Sequence, residues 1–365
     1  MKIIVSGGGT GGHIYPALAI AEGIKDKFKN VEILYVGTEG SLEEELAQKA
    51  GYTFQSIRVK GMPRKLNRRS IIAMRELIRG LSDSRKILKS FKPDLVIGTG
   101  GYVCGPILYR AAKSKIPTVI HEQNAYPGIT NKILSRFVNK VLITYDDSRK
   151  YFHKASDVVL TGNPVRKDII DQDRNNARKE LSLDEKPTVI SFGGSGGQRS
   201  LNNSILGILE EVSRDNAINL IHVTGKSHYE AFAEKLKDEN IRPGNNIDIL
   251  PYHHRMPIAI HAADLVITSG GAIALAEISA AGKPSILIPK AYTAENHQEY
   301  NARSFQERGA ARMILEKDLT PEFLYKTIME LISDGDKLME MSENSKKMGN
   351  PDATKAIVGE ISKLI

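Results

Sequence analysis

DLVITSGGAIALAEISAAGKPSILIPKAYTAENHQEYNA, residues 264–302, decides the fold. Leu265-Val266-Ile267 is an apolar run of the length of one buried parallel strand. Ser269-Gly270-Gly271 turns the chain. Ala272 to Ala281, rich in Ala, Ile and Leu with Glu277 inside it, reads as a helix. Gly282 stops that helix, and Pro284 to Pro289 reads as a second buried strand. A glycine turn feeding a helix aims backbone N–H groups and the positive end of the helix dipole at one spot, which suits a phosphate. Glu277 lies about two turns inside, where it is reached only from the mouth of that spot. Glu295-Asn296-His297-Gln298-Glu299-Tyr300-Asn301 follows with a dense set of hydrogen-bonding groups. Phosphate, then sugar hydroxyls, then an amide-rich rim is the layout of a nucleotide-sugar site. An ordinary strand-turn-helix has the same outline, so this stretch alone decides fold before function.

At 365 residues the chain is long enough for two domains. Hydrophobic content of 41% and charged content of 26% are those of a globular protein with material for two cores. Cys104 is the single cysteine, so no intrachain disulfide can form and a reducing cytosol suits the chain. The N-terminal apolar run is too short for a signal-peptide core, and no stretch approaches the roughly 20 apolar residues of a spanning helix.

Lys2 to Val5 reads as the first strand, Ser6 to His13 as a loop, and Ile14 to Phe28 as a helix with Pro16 in its first turn, where proline is tolerated. Gly7, Gly9 and Gly12 match G-x-G-x-x-G. The strand Glu32 to Val36 does not end in an acid, however, and Glu39 lies beyond the usual spacing for a ribose ligand, which argues against a nicotinamide site. His13 is either an inert histidine at a helix start or a general base. A helix N-terminus disfavours imidazolium, which leaves His13 neutral and able to accept a proton. Further strands, Asp94 to Ile97, Thr118 to Ile120 and Val138 to Thr144, lead into Gly98-Thr99-Gly100-Gly101 and His121-Glu122-Gln123-Asn124. Repeated β-α units with short loops imply a parallel doubly wound sheet, with ligands at the carboxyl ends of its strands. Gly7–Gly12, Gly98–Gly101 and His121–Asn124 should therefore converge. His121-Glu122 lacks the second histidine of a zinc motif.

Arg58 to Lys92 interrupts this pattern. It holds twelve Arg and Lys against Glu76 and Asp83, a net charge of +10 in a chain whose total is +8. Ile71, Met74, Ile78 and Leu81 recur at helical spacing, widened by Ile72 and Leu77. A basic amphipathic helix reads as a surface for anionic lipid or phosphorylated ligands, or as a solvated helix packing its stripe on the core. With Phe91 as its only aromatic and no recognised motif, it does not read as a nucleic-acid surface. Beyond Thr161–Arg166 the charged stretch to Lys186 marks the domain boundary. Asp171-Gln172-Asp173 spells D-x-D but sits in a polar linker, away from any strand end. Strand Thr188 to Phe192 runs into a second phosphate-type loop, Gly193–Arg199. Strands Asn219 to Thr224 and Asn246 to Leu250 follow, the latter leading to His253. The expected domains are 1–163, 164–340 and a tail, 341–365, that packs back towards the first.

With these residues in view the chain resembles the MurG family of peptidoglycan glycosyltransferases. The resemblance spans essentially the whole chain. It rests on GGGTGGHIYPALAIAE (7–22), GTGGYVCGP (98–106), HEQNAYPGITNK (121–132), TGNPVR (161–166), SFGGSGGQRSLN (191–202), SGGAIALAE (269–277) and ENHQEYNA (295–302). Gln198 departs from it, since the family's loop usually has alanine there. The resemblance implies an α/β protein of two Rossmann-like doubly wound domains facing across a cleft, the GT-B glycosyltransferase fold. It also implies inversion at the anomeric carbon, no metal and no cofactor. Its implied partners are UDP-N-acetylglucosamine and lipid-linked muramoyl-pentapeptide, with Arg58–Lys92 on an anionic membrane at the cytoplasmic face. Donor contacts carry over to Thr10, Gly11, Gly12, Asn124, Arg166, Ser195, the backbone near His253, the turn Gly270, Gly271, Ala272, Ile273, Ala274 and Leu275, Glu277 and Gln298. On this reading Glu277 accepts from the ribose, Gln298 and His297 read sugar hydroxyls, and His13 is the base, with Glu122 next in line. A UDP-N-acetylglucosamine 2-epimerase and a non-catalytic nucleotide-sugar-binding protein are the alternatives.

Overall fold

The computed structural model describes residues 1–63, 68–170, 172–194 and 196–365. The chain divides into two compact units, Met1–Pro164 with Asp352–Ile365, and Val165–Pro351.

The first unit is built on a seven-stranded sheet: β1 Lys2–Ser6, β2 Glu32–Gly37, β3 Thr53–Ser56, β4 Leu95–Gly98, β5 Thr118–Glu122, β6 Lys140–Ile143 and β7 Val158–Leu160. Their order is β3-β2-β1-β4-β5-β6-β7, and the strands pair in parallel. Side chains alternate between faces, as a strand requires. Ile4, Val36 and Val96 join one core, while Ile3, Val5, Tyr35 and Ile97 join the other. Strands β3 and β7 escape the sequence reading because they are short, at four and three residues, and partly exposed. The last helix, Ala353–Ile361, buries Ile357, Val358 and Ile361 in the second of these cores. It lies so close to helix Gly11–Lys27 that a Cβ on Gly23 would come 2.5 Å from Thr354. Lys140 pairs with Glu360 at 2.5 Å.

The second unit repeats the plan: β8 Thr188–Phe192, β9 Asn219–Val223, β10 Ile247–Leu250, β11 Leu265–Thr268, β12 Ser285–Leu287 and β13 Ala311–Met313, ordered β10-β9-β8-β11-β12-β13. Residues 341–351, expected in the tail, belong here. Helix Gly335–Met348 packs against helix Ala272–Ala280, and Ser342 Oγ donates to the Gly282 carbonyl at 2.6 Å. In each sheet the strand order reverses direction beside the first strand of the unit, at β1/β4 and at β8/β11. Ligand crevices of open α/β sheets form at such switch points.

Candidate active site

In the first unit the three expected loops meet at the β1/β4 switch point. Gly8 N–H donates to the Gly100 carbonyl at 3.4 Å. The approach needs glycine at Gly101: a Cβ there, where φ is +82°, would lie 2.1 Å from the Gly8 carbonyl oxygen. The helix starts at Gly11, so His13 lies in its first turn rather than ahead of it. Nδ1 of His13 is 3.1 Å from the Thr99 carbonyl and 3.1 Å from Gln123 Oε1. Its Nε2 makes no hydrogen bond among the described residues. Burial holds the imidazole below its ordinary value of 6.5, against the raising pull of the Gln123 and Thr99 bonds. His13 therefore stays neutral at pH 7, as a base must.

Glu122 is placed differently from the expectation that it could stand in as the base. Its carboxylate is buried and both oxygens are taken. One accepts from Asn124 N and Nδ2 at 3.0 and 3.1 Å, the other from Gly128 N and Asn131 Nδ2 at 3.2 and 2.9 Å. Burial pushes its pKa up, offset in part by those bonds. Glu122 is the hub that shapes the Gln123–Asn131 loop. Sequence reasoning missed two further supports. Glu43 reaches from the helix after β2 to accept from Gly9 N at 3.3 Å and Thr38 Oγ1 at 2.7 Å. Tyr35 Oη donates to the Gly7 carbonyl at 2.6 Å. Neither lies in a glycine motif: Tyr35 is a lone hydroxyl on an apolar strand, and Glu43 is one of three consecutive glutamates at a helix start with nothing in the sequence to single it out. Thr10 is exposed and Gly11 and Gly12 half-buried beside them.

In the second unit Arg166 and Glu277, far apart in sequence, form a two-point ion pair: Nε to Oε1 at 2.6 Å and Nη2 to Oε2 at 3.0 Å. Glu277 is buried, which raises its pKa, and Arg166 partly offsets that. Helix Ala272–Ala280 begins at Gly271 with no side chain capping it. Leu275 is buried and its N–H bonds the Gly271 carbonyl at 3.0 Å, so of the turn's residues it offers a ligand neither side chain nor N–H. The turn is clamped to the helix His297–Glu307. Asn301 Nδ2 donates to the Gly270 carbonyl at 3.0 Å, and a Cβ on Gly270 would lie 2.2 Å from the Gln298 carbonyl oxygen. Gln298 Oε1 accepts from Lys290 N at 3.0 Å, leaving its Nε2 without a partner among the described residues. His297 is half-buried at the start of the same helix, after Glu295 and Asn296, whose φ of 53° and 55° put both in the left-handed region. Gln198 ties the β8 loop to this neighbourhood, its Nε2 donating to Glu316 Oε1 at 2.9 Å and to the Ile288 carbonyl at 3.1 Å. Ser195 lies outside the described residues. His253, half-buried, follows the edge strand β10 and is not brought to the Gly270 turn by any described hydrogen bond. Asp173 caps helix Arg174–Glu180 through Asn175 N and Asn176 N; Asp171 lies outside the described residues.

The basic helix spans Arg68–Phe91, and residues 64–67 of that segment lie outside the described residues. It meets the core through Ala73, Gly80, Ser84, Ile87 and Leu88 rather than through the expected stripe. Ile71 is 72% and Ile78 63% exposed, with Ile72, Met74 and the preceding Met62 about half exposed. Among the described residues no helix is long and apolar enough to cross a membrane.

Residues 3–143 match the glycosyltransferase family 28 N-terminal domain and residues 188–357 the glycosyltransferase family 28 C-terminal domain. The chain is 49% identical, over all of its length and 89% of the relative's, to the UDP-N-acetylglucosamine–N-acetylmuramyl-(pentapeptide) pyrophosphoryl-undecaprenol N-acetylglucosamine transferase of Clostridioides difficile (strain 630). The crystal structure of Acinetobacter baumannii MurG superposes with a TM-score of 0.81 at 27% identity, covering 99% of each chain. The UDP-GlcNAc 2-epimerase of Neisseria meningitidis superposes at 0.68 over all of both chains, but at 14% identity, a likeness of fold alone. With both family domains matched and such identity sustained from end to end, the chain belongs to glycosyltransferase family 28 and, within it, to the MurG family.

Proposed function

We propose that this chain transfers N-acetylglucosamine from UDP-N-acetylglucosamine to the 4-hydroxyl of undecaprenyl-diphospho-N-acetylmuramoyl-pentapeptide, making the lipid-linked disaccharide precursor of peptidoglycan. The full-length identity to a curated transferase of that name carries the reading. In the reaction, the acceptor O4 forms a bond to the anomeric carbon of the donor from the face opposite the UDP, so the configuration inverts. The O4 proton passes to His13 Nε2, and the bond to UDP breaks with its electron pair leaving on the diphosphate. The N-terminus of helix Ala272–Ala280, with its positive dipole end, is the group that offsets that developing charge. Glu277 and Arg166 hold the ribose side of the nucleotide, and Gln298 Nε2 with His297 reads sugar hydroxyls. The glycine loops Gly7–Gly12 and Gly98–Gly101 face the acceptor diphosphate. The exposed Ile71–Ile78 face among its cations rests on the anionic cytoplasmic leaflet, because the acceptor's lipid cannot leave the bilayer at about 0.8 kcal/mol per CH₂.

The test is incubation with UDP-N-acetylglucosamine and a short-chain lipid-linked muramoyl-pentapeptide in the presence of EDTA. UDP release should require the acceptor, and His13→Ala should lower the rate about 10²–10⁴-fold, the usual worth of a general base, with donor affinity kept. Release without acceptor, or conversion of the donor to its 2-epimer, would favour the epimerase instead.

A further inference from the structure

We propose that Gln123, oriented by His121, is a positioning residue that selects the tautomer of His13, so that the lone pair open to the acceptor proton is the one on Nε2. The proposal rests on the reading of His13 as the base, but its geometry stands apart from it. Two backbone carbonyls, which can only accept, give the chain of hydrogen bonds its direction. His121 Nε2 lies 2.9 Å from the Gly162 carbonyl, so Nε2 carries the proton and Nδ1 the lone pair. Gln123 Nε2 lies 3.0 Å from that Nδ1 and 3.1 Å from the His121 carbonyl. Both are acceptors, so the amide nitrogen is turned towards them and its oxygen towards His13. His13 Nδ1 then faces two oxygens, Gln123 Oε1 and the Thr99 carbonyl, each at 3.1 Å, and must be the protonated nitrogen. A neutral imidazole has one N–H, so Nε2 is bare.

The supporting groups are held firmly in place. His121 and Gln123 are both buried, with exposures of 0% and 1%, so water cannot offer alternative partners. Gly100, at φ +113°, is what lets the Thr99 carbonyl reach the ring: a Cβ there would lie 2.8 Å from His13 Nδ1. The orienting group is an amide where many histidine bases have a carboxylate. A carboxylate would stabilise imidazolium and leave the base protonated more often; an amide oxygen orients the ring without that charge. As the acceptor's proton arrives at Nε2, the N–H at Nδ1 already donates to two oxygens, which disperse the positive charge that forms.

Nitrogen-15 NMR of the full-length protein labelled at histidine reads each tautomer without turnover. Wild type should show His13 with a protonated Nδ1 and bare Nε2, and His121 with the opposite pattern. In Gln123→Leu the Thr99 carbonyl is the one acceptor left at Nδ1, so a measurable fraction of the other His13 tautomer should appear beside the first, and kcat should fall roughly three- to tenfold, the size of one neutral hydrogen bond, with donor KM unchanged. A wild-type His13 protonated at Nε2 overturns the proposal, whatever His13→Ala does to the rate. So does a folded Gln123→Leu protein whose His13 signals and kcat are those of wild type. Should Gln123→Leu fail to fold, the wild-type spectrum still decides. A fully active His13→Ala would instead remove the base reading while leaving the tautomer result intact.

Discussion

Replacing Ile71 and Ile78 together by serine should weaken the protein's hold on anionic membranes without disturbing its fold. The two side chains are 72% and 63% exposed, so helix Arg68–Phe91 does not depend on them for packing. Exposed substitutions of this kind change stability by about 0.5 kcal/mol or less. Moving a whole isoleucine side chain out of water is worth about 1.5–3 kcal/mol. At the exposed fractions of these two, shallow insertion is worth roughly 1–2 kcal/mol each, or 2–4 kcal/mol for the pair. At 1.4 kcal/mol per decade that is a loss of about 30- to 700-fold in partitioning. The cations around them act over a Debye length of about 8 Å at physiological salt and survive the change. The variant should therefore retain weak binding that high salt abolishes, while wild type keeps part of its binding. Sedimentation with anionic vesicles across a salt series, beside activity on a water-soluble acceptor, measures both. A variant that sediments like wild type refutes the insertion. One that loses activity equally on the soluble acceptor shows that this face serves the reaction instead.

Glu277→Ala should weaken donor use at least about tenfold, because charge-assisted hydrogen bonds contribute about 1.5–3 kcal/mol each and Arg166 loses both of its own; donor kinetics equal to wild type would refute the role. Gly270→Ala should cost up to about 100-fold in donor kcat/KM, since the new methyl cannot coexist with the Gln298 carbonyl 2.2 Å away and must push the His297–Glu307 helix from its place. The thermal midpoint would fall only modestly, and an unchanged kcat/KM would show that the helix yields freely. His222 is buried, with Nδ1 bonded to Ser191 Oγ, and its pKa is pushed down to about 3 by burial. The unfolded chain takes up this proton near 6.5 and the folded chain does not, so stability drops as pH falls below 6.5 and is unaffected above it. Relative to His222→Leu, wild type should lose about 1.4 kcal/mol per pH unit between 6.5 and 4. A difference in denaturation free energy that is flat in pH would contradict the burial.

The sequence by itself determined the repeated strand–glycine turn–helix units, the parallel sheets and the loops that carry the site. These are local: a short apolar run, a glycine and a helical stretch specify one another over about 20 residues. It also singled out His13 and Glu277 as candidates, because a polar group at a helix start or inside an apolar helix stands out against the pattern, and Gln298 as a candidate through the polar 295–301 segment and the family resemblance. Only the tertiary structure decided which of these groups meet. His13 finds Thr99 and Gln123 across 86 and 110 residues because β1 lies beside β4 and β4 beside β5. That order is set by how the whole sheet buries its two faces. The same packing spent Glu122 on its own loop and recruited Glu43 and Tyr35 to hold glycines that no spacing rule connects to them. In the basic helix the period of the apolar stripe was legible, but not which side faced inward. The core took the small residues Ala73, Gly80 and Ser84, because the Arg58 backbone comes so near that a Cβ on Gly80 would lie 2.5 Å from its carbonyl oxygen, and Ile71, Ile72 and Ile78 were left outside. Periodicity reports that a helix has two faces; only the volume available at each contact assigns them.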